Sequence, residues 1–320
     1  MKNIINTTQS FVAESVAGFC LANSTLVTCH NSPLFITRSN IANNKVSIIS
    51  GGGSGHEPLH LGAIGVGMLD AVCPGELLTS PTPNQILAIL STVDISRGAL
   101  FIVKNYHGDR MNFKIANDNS DYNIETVLVC DDVFCKRGIA GTIIVEKIVG
   151  AAAEKGMSLS ELKELALNIN ANTKTIGFAL SSLTLPLLKK PMYDLEEGSI
   201  EYGVGIHGEK GFQRIEWLPA KKLARKITDD ILSVLSSKNN KKEVLLLING
   251  LGSTPLIELY VMYSEVHTYI ESCGYKVVRS LVGNYVTSFN TQGCSVTIST
   301  MDDVLLNYWD APVITSHFNW

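Results

Sequence analysis

Short apolar runs alternate along the first half of the chain with longer stretches whose apolar side chains return every three or four positions. The runs predict strands at Lys45–Ser50, Gly98–Tyr106, Glu125–Asp131 and Thr175–Ser181. The periodic stretches predict helices at Asn84–Val93, Gly141–Lys155 and Ser160–Ile169, the last opened by a capping box from Ser158 and Glu161. After Ser182 the texture changes. Leu185-Pro186-Leu187-Leu188-Lys189-Lys190-Pro191 carries two prolines and opens a polar stretch to Lys210. A domain boundary is placed there: residues 1–184 form an N-terminal α/β domain, and 185–320 a C-terminal one. The second set reads as strand Glu243–Asn249, helix Pro255–Ser272, strand Lys276–Val282 and strand Ser295–Thr300. The run Ser236–Lys242 reads as a mobile loop by composition.

At 320 residues, 45% apolar and 18% charged, the chain has enough material for two globular cores. Its formal charge of −4 argues against direct nucleic-acid binding through a basic face. The one local basic run, Lys221-Lys222 to Lys226, reads as a solvated helix face. No segment reaches membrane-spanning length; the most apolar, Ile139–Ala153, is interrupted by Glu146 and Lys147. The N-terminus lacks the apolar core of a signal peptide. Seven cysteines, at 20, 29, 73, 130, 135, 273 and 294, show no metal-type spacing. An odd, scattered set fits reduced thiols, mostly core filler, and a cytoplasmic location.

The most informative stretch is Gly51-Gly52-Gly53-Ser54-Gly55-His56-Glu57-Pro58-Leu59-His60, directly after an apolar strand. Such a strand end brings bare backbone against something small and polar. It is not a P-loop, because His56 and Glu57 stand where Lys and Ser or Thr are needed. It is not a dinucleotide fingerprint, because position 56 is His instead of Gly. His56 to His60 spells the zinc-protease pattern His-Glu-x-x-His, but Pro58 sits where a helix interior would be required. Metal binding is therefore not expected.

Three other clusters carry polar chemistry. Lys104-Asn105-Tyr106-His107-Gly108-Asp109-Arg110 follows a strand, at the end where open α/β sheets bind ligands. Asp109 could be a general base tuned by Lys104; read on its own, it suits a helix N-cap better. In Gly203-Val204-Gly205-Ile206-His207-Gly208-Glu209-Lys210-Gly211, four glycines leave one imidazole accessible. Read on its own, that histidine fits a functional or a structural role. Cys73-Pro74-Gly75-Glu76 with Thr79-Ser80-Pro81-Thr82-Pro83 reads as a rigid turn and helix start.

These clusters, in this order, resemble the dihydroxyacetone kinase family, in particular its substrate-binding subunit. The match comprises Gly-Gly-Gly-Ser-Gly-His-Glu-Pro, Pro-Gly-Glu with Thr-Ser-Pro-Thr-Pro, Lys-Asn-Tyr-x-Gly-Asp, Gly-Ala-Ala-Ala-Glu, Gly-Ile-His-Gly-Glu and Trp-Asp-Ala-Pro, spanning essentially the whole chain. The resemblance implies two α/β domains with mixed sheets flanked by helices, the ligand site at the domain interface, and a homodimer. It implies that His207 captures dihydroxyacetone covalently as a hemiaminal. Gly53, Ser54, Gly55, His56, Lys104 and Asp109 correspond to the substrate-contact segments, and in active kinases His56 and Asp109 would be the acid/base pair. It implies no cofactor on this chain, since the phosphoryl donor is an ADP held by a separate subunit.

Several positions depart from the family pattern. Between Asp131-Asp132-Val133 and Arg137-Gly138-Ile139-Ala140-Gly141, active kinases carry a longer loop; here only Phe134-Cys135-Lys136 fills it. The segment 222–242 is shortened, His107 replaces a small residue, and Lys210 stands where proline is usual. Ligand-capturing residues are kept while peripheral loops are trimmed. That combination is similar to the family's non-catalytic coactivator, which senses dihydroxyacetone and partners a TetR-type transcription factor without touching DNA itself. The alternative expectation is an active substrate-binding subunit that works with the ADP-bearing subunit.

Overall fold

The computed structural model describes residues 3–188, 190–235 and 242–320. The chain parts into two compact units, each built on a six-stranded mixed sheet with helices. One comprises residues 2–129, 142–168 and 307–320; the other comprises 130–141 and 169–306.

The first unit contains β1 (Val27–Asn31), β2 (Leu34–Arg38), β3 (Ser47–Ser54), β4 (Gly65–Val66), β5 (Ala71–Leu77), β6 (Ala99–Lys104) and β7 (Ile124–Val129). Its helices are α1 (Phe11–Ala22), α2 (Pro83–Leu90), α3 (His107–Asp118), α4 (Gly141–Glu154) and α5 (Leu159–Ala171), the last two crossing the breaks between units. The sheet order is β1-β2-β5-β3-β6-β7. β5, β3, β6 and β7 run parallel; β2 joins antiparallel and carries β1 as a hairpin. β3 and β6 are buried along their whole length, as parallel strands covered on both faces must be. Ile49, Phe101 and Val103 of these strands pack with Ile86 of α2 and Phe113 of α3.

The second unit contains β8 (Thr173–Ala179), β9 (Ser199–Val204), β10 (Gln213–Glu216), β11 (Glu243–Gly250), β12 (Lys276–Gly283) and β13 (Gly293–Thr300), with α6 (Ala220–Leu232) and α7 (Leu256–Ser272). The order is β10-β9-β8-β13-β11-β12, antiparallel except for β11 with β12. α6 buries Leu223, Ala224, Ile227 and Ile231 on one face and leaves Lys221, Lys222 and Arg225 exposed. The basic run is thus solvated at Lys221, Lys222 and Arg225, while Lys226 is half-buried over the Tyr202 ring and pairs with Asp230 at 3.1 Å.

Four expectations need correction. The units do not part at residue 184. β8 hydrogen-bonds to β9 and β13, so 169–184 belong to the second unit. Ile314–Thr315 pairs antiparallel with β4, so the final residues return to the first unit. Cys20 and Cys29 form a disulfide with Cα atoms 6.1 Å apart, so the cysteines are not all thiols and the case they made for a reducing compartment lapses. Cys73-Pro74-Gly75-Glu76 is strand β5 instead of a turn, while the helix start after it forms as expected, Thr82 and Gln85 closing a capping box. α3 begins at His107 with Tyr106 as its cap, so Asp109 lies inside the first turn and is not the N-cap. Residues 236–241 of the run read as a mobile loop lie outside the described residues.

Candidate functional site

The candidate groups fall in two places, one in each unit. In the first, Gly51, Gly52 and Gly53 of β3 pair with Cys73, Pro74 and Gly75 of β5. A Cβ on Gly53 would lie 2.6 Å from the Thr79 nitrogen, and one on Gly75 2.0 Å from the Thr79 oxygen. A Cβ on Gly52 would meet Lys104 Nζ at 2.2 Å. The glycines therefore let main chains approach and make room for a lysine ammonium. Ser54 donates its hydroxyl to the Gly75 carbonyl at 2.7 Å. Gly55, at φ +103°, turns the chain and donates its N–H to Glu57 Oε2 at 2.8 Å. Burial raises the Glu57 carboxyl above its usual range. His56 is buried.

Lys104 ends β6 with its side chain fully buried. Its Nζ lies 2.8 Å from His60 Nε2, 3.3 Å from the Gly51 carbonyl and 3.4 Å from Asp109 Oδ2. Nδ1 of His60 lies 2.6 Å from Glu146 Oε1 on α4 and 3.1 Å from Ser50 Oγ. The Ser50 hydroxyl donates to the Ile102 carbonyl at 2.7 Å, so its oxygen accepts from the ring. This network assigns the proton to His60 Nδ1 and leaves Nε2 to accept from Lys104. Burial, then the charges of Lys104 and His56, hold the His60 pKa well below its ordinary value. Burial pushes the Glu146 carboxyl up to about 8, against the pull of Lys104. The structure thus joins Lys104 with Asp109, as the strand-end reading expected. It adds His60 and Glu146, which sequence reasoning passed over as part of an accidental zinc pattern and as a break in an apolar run. The signal was there: a lone acid in an apolar helix stretch needs a buried partner.

Residues 56–60 form bends and turns with no helix, so the two rings do not project from one helix face. Among the described residues, no group of three or more His, Cys, Asp and Glu side chains is placed to hold a metal ion. No helix of the described residues is long and apolar enough to cross a membrane.

His207 lies in the second unit, half-buried, in the loop from β9 to β10. Its backbone N–H donates to Glu209 Oε2 at 2.8 Å. The glycines around it do not leave open space, contrary to the expectation. A Cβ on Gly205 would meet Glu209 Oε1, one on Gly208 would meet Leu183, and one on Gly203 would meet Phe134. Phe134 stacks on Phe212 with centroids 4.5 Å apart, and its edge meets Tyr202. The short segment 133–136 is thus packed against the strand that leads to His207.

The Dak1 domain family matches residues 17–317. The chain is 42% identical over 314 residues to the dihydroxyacetone-binding subunit of a PTS-dependent dihydroxyacetone kinase from Listeria innocua, covering 95% of each chain. It is 39% identical to the dihydroxyacetone-binding subunit of the PEP-dependent kinase of Escherichia coli, covering 100% of this chain and 99% of that one. Among solved structures, a dihydroxyacetone kinase operon co-activator superposes with a TM-score of 0.89 at 32% identity, over 95% of this chain and 97% of that one.

Proposed function

The chain belongs to the Dak1 domain family, and on that footing we propose that it binds dihydroxyacetone, captured on His207, and reports it as a coactivator of a TetR-type transcription factor. An unprotonated imidazole nitrogen adds to the ketone carbon. One C–N bond forms, the carbonyl π pair moves to oxygen and takes a proton, and the other ring nitrogen gives one up. The ring nitrogen has no second hydrogen to lose, so the product stays a hemiaminal and the bond is reversible. Such capture selects a carbonyl compound over glycerol, which shape alone separates poorly. In the first unit, Lys104 and His56, with Gly53, Ser54 and Gly55, are proposed as groups for the ligand's hydroxyls, and Asp109 holds Lys104. The acidic balance suits a protein that meets DNA only through its partner, and a homodimer is part of the proposal.

The observation that carries the coactivator role is the segment 133–136. It is shorter than the family pattern, and Phe134 packs it against β9 and Phe212. A second reading, the substrate-binding subunit of an active kinase, is favoured by the contact between Lys104 and Asp109 and by the identity to two such subunits. A phosphoryl-transfer assay separates them. The chain is supplied with an ADP-bearing subunit and its phosphorylated donor, and dihydroxyacetone phosphate is measured. The coactivator reading expects negligible product; turnover near that of a kinase subunit sinks it. For the anchor, intact-mass analysis after incubation with dihydroxyacetone should show one adduct that is lost in His207→Ala. An unchanged adduct in that variant removes His207 from the role.

A further inference from the structure

The shortened segment beside His207 is a closed turn with a purpose. Asp132 is buried, and its carboxylate accepts the N–H groups of Phe134 at 3.2 Å and Cys135 at 3.3 Å. Its own N–H donates to the Arg137 carbonyl at 3.0 Å. The turn aims the Arg137 guanidinium at three acceptors: Nε to Asp132 Oδ2 at 2.6 Å, Nη2 to the Gly203 carbonyl at 2.8 Å, and Nη1 to Glu209 Oε1 at 2.8 Å. The second oxygen of Glu209 holds the His207 N–H. Gly205 lacks a Cβ where this carboxylate sits: the position would be 1.9 Å from Glu209 Oε1 and 2.9 Å from Arg137 Nη1. Gly208, at φ +75°, reverses the chain between His207 and Glu209.

We propose that Arg137 and Glu209 are positioning residues for His207: the guanidinium braces a carboxylate, and the carboxylate fixes the backbone that presents the imidazole. The inference rests on the reading of His207 as the covalent anchor. Neither residue is assigned any contact with the ligand. The Glu209 end of the pair is 30% exposed and contributes little as a fold-holding contact, whereas Arg137 also pairs with the fully buried Asp132 and its loss leaves that carboxylate without its cation. A ring that must meet a carbonyl carbon along one approach is sensitive to placement, and a 1 Å error costs about 100-fold in rate. Glu209 should therefore matter more to adduct formation than to stability, while Arg137 should matter to both.

The test follows adduct formation on the full chain with dihydroxyacetone carbon-13 labelled at its carbonyl, whose resonance moves when the carbon becomes tetrahedral. Melting temperatures are recorded in parallel. Glu209→Ala and Arg137→Ala should each slow capture about tenfold or more, with the double variant no slower than the worse single one, since the two act along one path. Glu209→Gln should recover most of the rate, because its amide oxygen still accepts the His207 N–H. Rates within about twofold of the parent in both alanine variants, or a double variant that multiplies the two losses, would overturn the proposal. Where an alanine variant does not fold, Arg137→Lys decides: a loss of about threefold or more supports the brace, and a parental rate overturns it. A parent chain that gives no adduct sinks the His207 reading first, and this inference with it, before any substitution is made.

Discussion

At Gly52 and Gly53 of β3 the space a Cβ would need is filled by a lysine ammonium and by main chain; at Gly203, Gly205 and Gly208 around His207 it is filled by a carboxylate and by apolar side chains. The first arrangement cannot give. Thr79 and Leu78 backbone atoms stand against Gly53, and Thr79 and Ser80 backbone atoms against Gly75. The ionisable groups around it, Lys104, His60, Glu146 and Asp109, are all buried. In the second arrangement the atom nearest Gly205 is the end of a side chain, Glu209, which is 30% exposed and held by Arg137 and the His207 N–H. One region is a rigid scaffold in which burial holds the His60 pKa down and the Glu146 pKa up. The other holds the proposed anchor, His207, through a carboxylate on its backbone N–H. Substitutions in the first should thus be read out in stability, and those in the second in chemistry.

The sharpest way to break that contrast is Lys104→Met. It leaves Asp109 and His60 without their buried cation partner, and removing one member of such a pair costs about 3–5 kcal/mol. Denaturant unfolding should show this loss, and a parental midpoint would mean the cluster is not the load the fold carries. Next, Gly75→Ala presses a methyl on Thr79 and Pro81 main chain and should cost about 1–3 kcal/mol, measured the same way. Third comes pH. Glu146 holds its proton in the folded chain up to about 8, well above its unfolded value of 4.5. Its stabilising contribution is complete below 4.5 and is lost as pH rises through about 8. The slope is at most about 1.4 kcal/mol per pH unit in that window. His60 acts in the opposite sense: its depressed folded pKa makes stability fall as pH drops below 6.5. The difference between the parent and Glu146→Gln isolates the glutamate. The parent should lose stability relative to the variant from pH 5 to 8, and a flat difference would show that Glu146 is not held protonated. The smallest expected change in stability is Gly205→Ala, under about 1 kcal/mol, because the atom it meets is the end of a flexible side chain. The same variant should slow adduct formation by displacing Glu209, so a parental capture rate there would erase the distinction between the regions.

What could be read from the chain follows the range of the interactions. β3 and β6 were visible because strands buried on both faces are continuous apolar runs. The Ser158–Glu161 cap and the α4 helix are local patterns and formed as expected. β5 was hidden because Pro74 and Gly75 are turn residues by type, and only the close approach of Thr79 explains them in a strand. The disulfide, the unit boundary and the partners of Lys104 and His207 depend on pairings across the chain. His60 and Glu146 are 86 residues apart, and Arg137 and Glu209 are 72 apart. The pairing of Lys104 with Asp109 was legible from their shared strand end, yet Asp109 was read as a cap because the exact start of α3, at His107, is not fixed by residue type.

The return of the last residues to the first unit sets an order of assembly during synthesis. The second unit is contained within residues 130–306, whereas the first needs 307–320 as well. Ile314 and Thr315 close on β4, Thr315 Oγ1 donates to the Gly62 carbonyl at 2.7 Å, and Lys147 Nζ is capped by the Tyr308 and Ala311 carbonyls. On the ribosome, the half that emerges first must therefore wait for residues 307–320 before its glycine-loop unit can close. A chain cut just after residue 306 would lack part of the unit made near the beginning and hold every segment of the other.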